Sequence, residues 1–182
     1  MFAELKKKKY QMDREATEKV LKDGVFGILS LLGENDYCYG VPLHHVYVDG
    51  NIYFHSALKG WKLDCAKHHP KVCYTVVDQK LLVLDGEHDT RYTSVCAFGQ
   101  ASEVTDREEK MKALRAVMAK YDPKSIPWNE EYVKGPMPVA IWKIAVEHME
   151  GKSSVLEGDV KASWKYISSL LKWRVMRKPG IT

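Results

Sequence analysis

His55, Ser56, Lys59, Gly60 and Lys62 fall close together inside the stretch YFHSALKGWKLDCAKHHP, Tyr53 to Pro70. They bring an imidazole, a hydroxyl, two ammonium groups and a flexible glycine to one turn. Tyr53 and Phe54 read as the end of a strand. Leu63, Ala66 and Lys67 then recur at helical spacing, and Pro70 stops the helix. A helix start carries unpaired N–H groups and the positive end of a dipole. With a hydroxyl and two lysines added, the place suits a phosphate, so the chemistry implied is retention of a phosphorylated small molecule. A solvated basic turn has the same composition, and these residues alone do not choose between the two. Strand alternation sends Phe54 towards a core and His55 away from it, towards the turn. There the near-neutral pKa of an imidazole fits proton transfer; the alternative is a surface histidine at a strand end.

The other reactive residues are less organised. His44-His45 and His68-His69 are adjacent pairs, and His88 and His148 stand alone. None has the i, i+4 spacing of a helical zinc pair, and the cysteines at 38, 65, 73 and 96 include no CxxC, so no metal is expected. In a strand only one of His44 and His45 can face a given site. Cys65 or Cys96 with a histidine would make a nucleophile, but no third group orients such a pair. There is no GxSxG, no GxGxxG after a strand and no P-loop.

These residues need elements to hold them. Asp13 is placed to cap a helix reaching about Asp23, with Ala16, Val20 and Leu21 on one face and Gly24 at its end. Val25 to Leu32 is an apolar run, read as a buried strand. After the turn Gly33–Asp36, Tyr37 to Val48 reads as one strand, with Pro42 marking an unpaired edge or a bulge. Asp49-Gly50 is a hairpin turn into Asn51–Phe54. Lys71 to Asp78 is a strand, Gln79 to Thr90 a loop, and Arg91 to Val104 a long strand with a bulge at Gly99. TDRE, Thr105 to Glu108, is a capping box opening a helix to Tyr121, with Met111, Leu114, Ala116 and Met118 on its apolar face. Asp122 to Pro138 reads as irregular, Val139 to Met149 as a strand, Gly151 to Gly158 as a linker and Lys161 to Lys172 as a helix. The result is six strands, mostly antiparallel, which curl into a small barrel with flanking helices to remove their edges.

Composition sets the class. The chain has 182 residues, 45% hydrophobic and 29% charged, the profile of one soluble globular domain. No apolar run approaches a membrane span. The basic start, Lys6 to Lys9, has no apolar segment after it, so no secretory signal is read and the expected place is the cytoplasm, with all four cysteines as reduced, buried thiols. A net charge of +4, with basic residues gathered at the two ends, does not make the dense basic face of a nucleic-acid binder.

The order of the segments GVPLHHVYVDGNIYFHSALKGWKLDCAKHHPKVCYTVVD, Gly40 to Asp78, resembles the FMN-binding split barrel of the pyridoxamine 5′-phosphate oxidase-like superfamily. Within it the likeness is greatest to the nitroimidazole-resistance (Nim) group. It rests on the VPL strand, the DG hairpin, the YFHSA strand end, the GxK loop, the VVD strand, the later SVCAFGQA strand and the closing EHMEGK. The resemblance implies a six-stranded antiparallel split β-barrel over 1–152 and a homodimer with FMN between subunits; the tail over 153–182 has no counterpart in it and is read from its own pattern as a partly helical extension. It places Lys62 on the FMN phosphate, with His55, Ser56 and Ala57 around that phosphate and the ring edge. Val41, Pro42, Leu43 and His44 lie along the flavin ring, Val77 and Asp78 contact it from the next strand, and Ser94 from the long strand. His45 stands where the oxidases have Arg, and Gly60-Trp61 where they have Ser-Arg, so fewer cations meet the phosphate. The function implied is FMN-dependent, nitroreductase-like oxidoreduction of a small organic acceptor such as a nitroimidazole, with a reduced nicotinamide or another donor, and His55 is the acid–base candidate. The alternative is a non-catalytic barrel holding flavin or haem, with His55 or His148 as an axial ligand.

Overall fold

The computed structural model describes residues 2–78, 82–83, 90–123 and 139–155. Asp13 caps the first helix, α1 (Arg14–Asp23), by accepting a 2.8 Å bond from the Ala16 N–H, and Gly24 closes it. Four strands follow: β1 (Phe26–Leu32), β2 (Cys38–His44), β3 (Val46–Val48) and β4 (Asn51–Ser56). Then come α2 (Trp61–His68), β5 (Lys71–Val77), the short β6 (Leu82–Val83) and β7 (Thr90–Arg91), β8 (Thr93–Glu103), α3 (Arg107–Tyr121) and β9 (Ala140–Ser153).

Seven strands form one antiparallel sheet in the order β2-β1-β5-β8-β9-β4-β3. β2 and β3 occupy its opposite edges, yet His45 alone separates them in the chain. The sheet therefore has to curl until its two edges meet at that residue. This is the mainly β, antiparallel barrel with flanking helices that the sequence predicts. The strand expected over Tyr37–Val48 is in fact two, which raises the count from six to seven. Its first part pairs with β1 and its second with β4, so the chain must leave one partner for the other at His45.

His45 is wholly buried at this seam. Its Nε2 meets the Leu21 carbonyl at 2.8 Å. Its backbone is gripped by the end of α3. The Tyr121 hydroxyl donates to the His45 carbonyl at 2.8 Å and accepts from the His45 N–H at 3.1 Å, and Lys120 Nζ donates to the same carbonyl at 3.0 Å. Burial, then the Lys120 charge, pull the His45 pKa down to about 4, so the ring is neutral at pH 7.

Other local expectations change in instructive ways. β1 is not buried on both faces: Leu29 and Leu31 point inward, while Phe26 and Ile28 are exposed. The helix cap at α3 is Asp106, which accepts from the Glu109 N–H at 2.8 Å, one residue later than the expected Thr105. Glu109 instead reaches outward, accepting from Tyr53 Oη at 2.9 Å and Lys143 Nζ at 3.0 Å. The segment Gln79–Thr90, expected as a loop, includes β6, which pairs with β7. The last strand runs on through Ser153, past the expected end at Met149. The bulge at Gly99 is present: the register shifts between Phe98 and Gly99. A Cβ at Gly99 would lie 2.1 Å from the Ala145 carbonyl oxygen, so only glycine allows that approach. The Asp49-Gly50 hairpin has φ of 48° and 78°, the pair of positive angles such a turn needs. The readings over 124–138 and of a helix over 161–172 lie outside the described residues.

The interior is filled by Trp142, Tyr74, Phe54, Leu29, Ile52 and Ile144, all essentially inaccessible to water. Burying a side chain of this size contributes roughly 1.5–3 kcal/mol. α2 adds Leu63, Cys65 and Ala66 to the same core. A second cluster lies outside the barrel wall, where α3 covers Val46, Tyr53 and Ile141 with Ala113, Leu114 and Val117.

Candidate functional site

Strand pairing decides which side chains share a surface. Phe26 lies opposite His44 and Ile28 opposite Pro42, so all four project from the outer wall of β1 and β2. On β4, Phe54 enters the core and His55 is exposed. Because the sheet edges meet, β4 comes beside β2, and His44 and His55 become neighbours. Phe26, Pro42, Leu43, His44 and His55 line an open groove of 370 Å³. Phe26 also lines a second groove, of 590 Å³, which Val77 and Asp78 border together with α1.

Lys62 stands next to His55, one residue into α2. Burial lowers its pKa, and among the described residues its ammonium has no carboxylate partner. Its Nζ lies 5.8 Å from the centre of the Phe54 ring. Gly60 precedes the helix with φ 143°, a conformation that only glycine adopts without strain. No side chain caps the α2 N-terminus, and a Cβ on Gly60 would meet nothing within 4 Å. The turn therefore presents backbone N–H groups, a cation with no described carboxylate partner and open space together. That arrangement suits a phosphate.

Electrostatics fix the state of His55. Burial, then the nearby His44 and Lys62, push its pKa below the ordinary histidine value. At pH 7 it is a neutral imidazole with one N–H and one lone pair. His44 is held from behind, its ring stacked on Tyr121 at 4.6 Å between centroids.

The remaining predicted residues distribute as follows. Val41 and Leu43 face the barrel interior and pack against its core. The Leu43 carbonyl accepts from Tyr74 Oη at 2.8 Å. Ser56 is buried, and its hydroxyl donates to the Ala57 carbonyl at 2.6 Å; Ala57 itself is exposed. Val77 projects outward opposite Ser94, and the Asp78 N–H bonds the Thr93 carbonyl at 2.8 Å. Ser94 lies on the outer wall but lines neither groove. His148 is on the far part of that wall, stacked on Phe2 at 4.7 Å, and does not converge with His55. Cys65 is buried, as expected of a packing thiol, whereas Cys38 is exposed and Cys73 and Cys96 are half-buried. Phe26 is the residue that sequence reading passed over. Its signal was the apolar run itself, too hydrophobic for a strand with one wet face.

A small curled sheet with a basic strand-to-helix turn at its seam and an apolar outer wall defines a split β-barrel. The family model described as pyridoxamine 5′-phosphate oxidase matches residues 13–153, and the chain belongs to that family. No curated protein matches the sequence. Among solved structures it is similar to a protein assigned to 5-nitroimidazole antibiotic resistance in Bacteroides thetaiotaomicron VPI-5482. That match has 24% identity and a TM-score of 0.68, over 79% of this chain and 86% of that one. It is also similar to a FAD-binding protein of Mesorhizobium loti, at 21% identity and TM-score 0.59, over 80% and 97% of the two chains. A third is the FAD and heme binding protein of Mycobacterium smegmatis, at 15% identity and TM-score 0.64, over 84% and 80%. At these identities the likeness is one of fold.

Proposed function

We propose that this chain is a flavin-dependent, nitroreductase-like oxidoreductase, with FMN as the smallest cofactor that its site accounts for. The observation that carries the reading is the half-buried Lys62, with no carboxylate partner among the described residues, at the uncapped start of α2 beside the His44–His55 groove. The residues fit the group. Lys62 and the N–H groups after Gly60 would hold the phosphate. Phe26 and Pro42 give an apolar floor for a flat ring, and the β2 backbone borders it. The chemistry that bound flavin supplies is two-electron transfer from a donor, such as reduced nicotinamide, to a small organic acceptor of the nitroimidazole type. The protein's share is binding, orientation and exclusion of water. In this reading His55, neutral at pH 7, would accept a proton at its free ring nitrogen or donate its N–H to ring or acceptor.

The described residues of one subunit leave the groove open on its outer side. A second copy, laid on the exposed wall around Phe26, Ile28, Pro42 and Val77, would cover it, so the working unit in this reading is a homodimer. A storage or sensing role shares the same site. Neutral, exposed His55 also suits an axial ligand to haem, and one similar structure is named for both FAD and haem. A two-band flavin spectrum or a Soret band from purified protein separates these.

The deciding experiment is Lys62→Met. Loss of one charge-assisted contact, about 1.5–3 kcal/mol, should weaken FMN roughly 10- to 150-fold by equilibrium titration while the fold survives. Unchanged affinity would sink the assignment.

A further inference from the structure

Trp61, the first residue of α2, adds something that an FMN phosphate does not use. Its indole lies against Tyr39, 4.6 Å between ring centroids and tilted by 33°. Gly33 lets it approach: a Cβ there would come within 3.1 Å of Trp61 Cζ2. The ring is thus set in place by β2 and by the turn before it. Yet Trp61 is 47% exposed, and Tyr37 and Leu58, in the same turn and in the loop ahead of Gly60, are more exposed still. A large aromatic surface held in position but left open is a stacking platform. It adjoins Lys62 in the chain, so a planar group tethered to the phosphate would reach it.

We infer that the Trp61–Tyr39 pair is the adenine platform of a flavin adenine dinucleotide, and that the chain takes FAD in preference to FMN. This rests on the reading above that the flavin phosphate sits at the Lys62 turn. Charge alone predicts the opposite preference. Joining an adenosine phosphate to FMN removes a negative charge from the phosphate that meets Lys62, so Coulomb attraction is stronger for FMN. A preference for FAD therefore reports the stack. A base stacked on an aromatic side chain changes affinity by roughly 5- to 150-fold when that side chain is cut to alanine.

The test is competition of equimolar FMN and FAD for flavin-free protein, with the bound flavin identified after separation, alongside calorimetric titration of each. Wild type should favour FAD by about 5-fold or more, the low end of a single stacked base. Trp61→Ala should erase that preference by weakening FAD more than FMN, and Trp61→Phe should keep most of it. Equal binding of the two flavins by wild type overturns the inference while leaving the phosphate site standing. So does a FAD preference that survives Trp61→Ala. If neither flavin binds wild type, the phosphate site falls and the platform with it.

Discussion

The barrel has two outer walls built on the same alternation, and among the described residues only one of them is covered by a helix. On β3, β4 and β9 the outward residues Val46, Tyr53 and Ile141 are apolar, and α3 lies over them. Tyr53 and Lys143 also tie to Glu109 on that helix. On β1, β2 and β5 the outward residues Phe26, Ile28, Pro42 and Val77 are equally apolar, and no described element of the chain covers them. Ile141 is 1% exposed and Ile28 is 37% exposed. Same residue type, same kind of strand position: the difference is the helix. An apolar wall that no described element covers marks a contact surface, and the candidate groove runs along its rim.

The largest expected effect is on the covered wall. Ile141→Ala should destabilise by about 2–5 kcal/mol in chemical denaturation, the range for an aliphatic side chain cut away inside a packed cluster. The matching change at Ile28 should cost under about 1 kcal/mol in the dissociated monomer, because little packing is lost there. Equal losses at the two sites would break the comparison.

The next effect belongs to the seam between the walls. His45 has its pKa lowered to about 4, against 6.5 for the free side chain. The unfolded chain therefore binds a proton that the folded one refuses between those values. Stability should be full above pH 6.5 and fall as pH drops from 6.5 to 4. At about 1.4 kcal/mol per pH unit the loss approaches 3 kcal/mol. His45→Gln should flatten that slope in urea titrations across the interval. An unchanged slope would assign it to other groups.

Self-association sharpens the comparison from the bare side. Ile28→Asp puts a charge in the middle of the exposed wall and should shift a dimer to the 20.9 kDa monomer in sedimentation, with the monomer still folded. A dimer untouched by that change would have to use another surface. The smallest effect is expected at His55. Its ring is exposed, so His55→Ala should stay within about 1 kcal/mol of wild-type stability while altering turnover or flavin affinity. Loss of folding with unaltered flavin binding would make the residue structural.

Much of this was legible beforehand because it is local. Asp13 capping α1, Asp49-Gly50 turning a hairpin, Gly99 at a bulge and the turn from Ser56 to Lys62 are each written in a few neighbouring residues. The misreadings share a cause. Thr105 and Asp106 both make acceptable caps, and the choice fell to Asp106 once Glu109 had partners on β4 and β9. The single strand over Tyr37–Val48 is sound as extended chain, and nothing in its residues announces that its halves serve opposite edges of a sheet. Tyr121 and Lys120, which lock the break at His45, are far away in sequence.

By itself the sequence determined the alternation of faces, the turn chemistry and the basic strand-to-helix turn, since these depend on residue type and short-range sterics. Only the tertiary structure decided that β2 and β4 lie side by side, which is what brings His44 to His55 and gives the groove two walls. It alone decided which apolar wall α3 covers. Both depend on closing the sheet, a long-range event whose free energy comes from burial in the barrel core, and short windows of sequence carry no record of it.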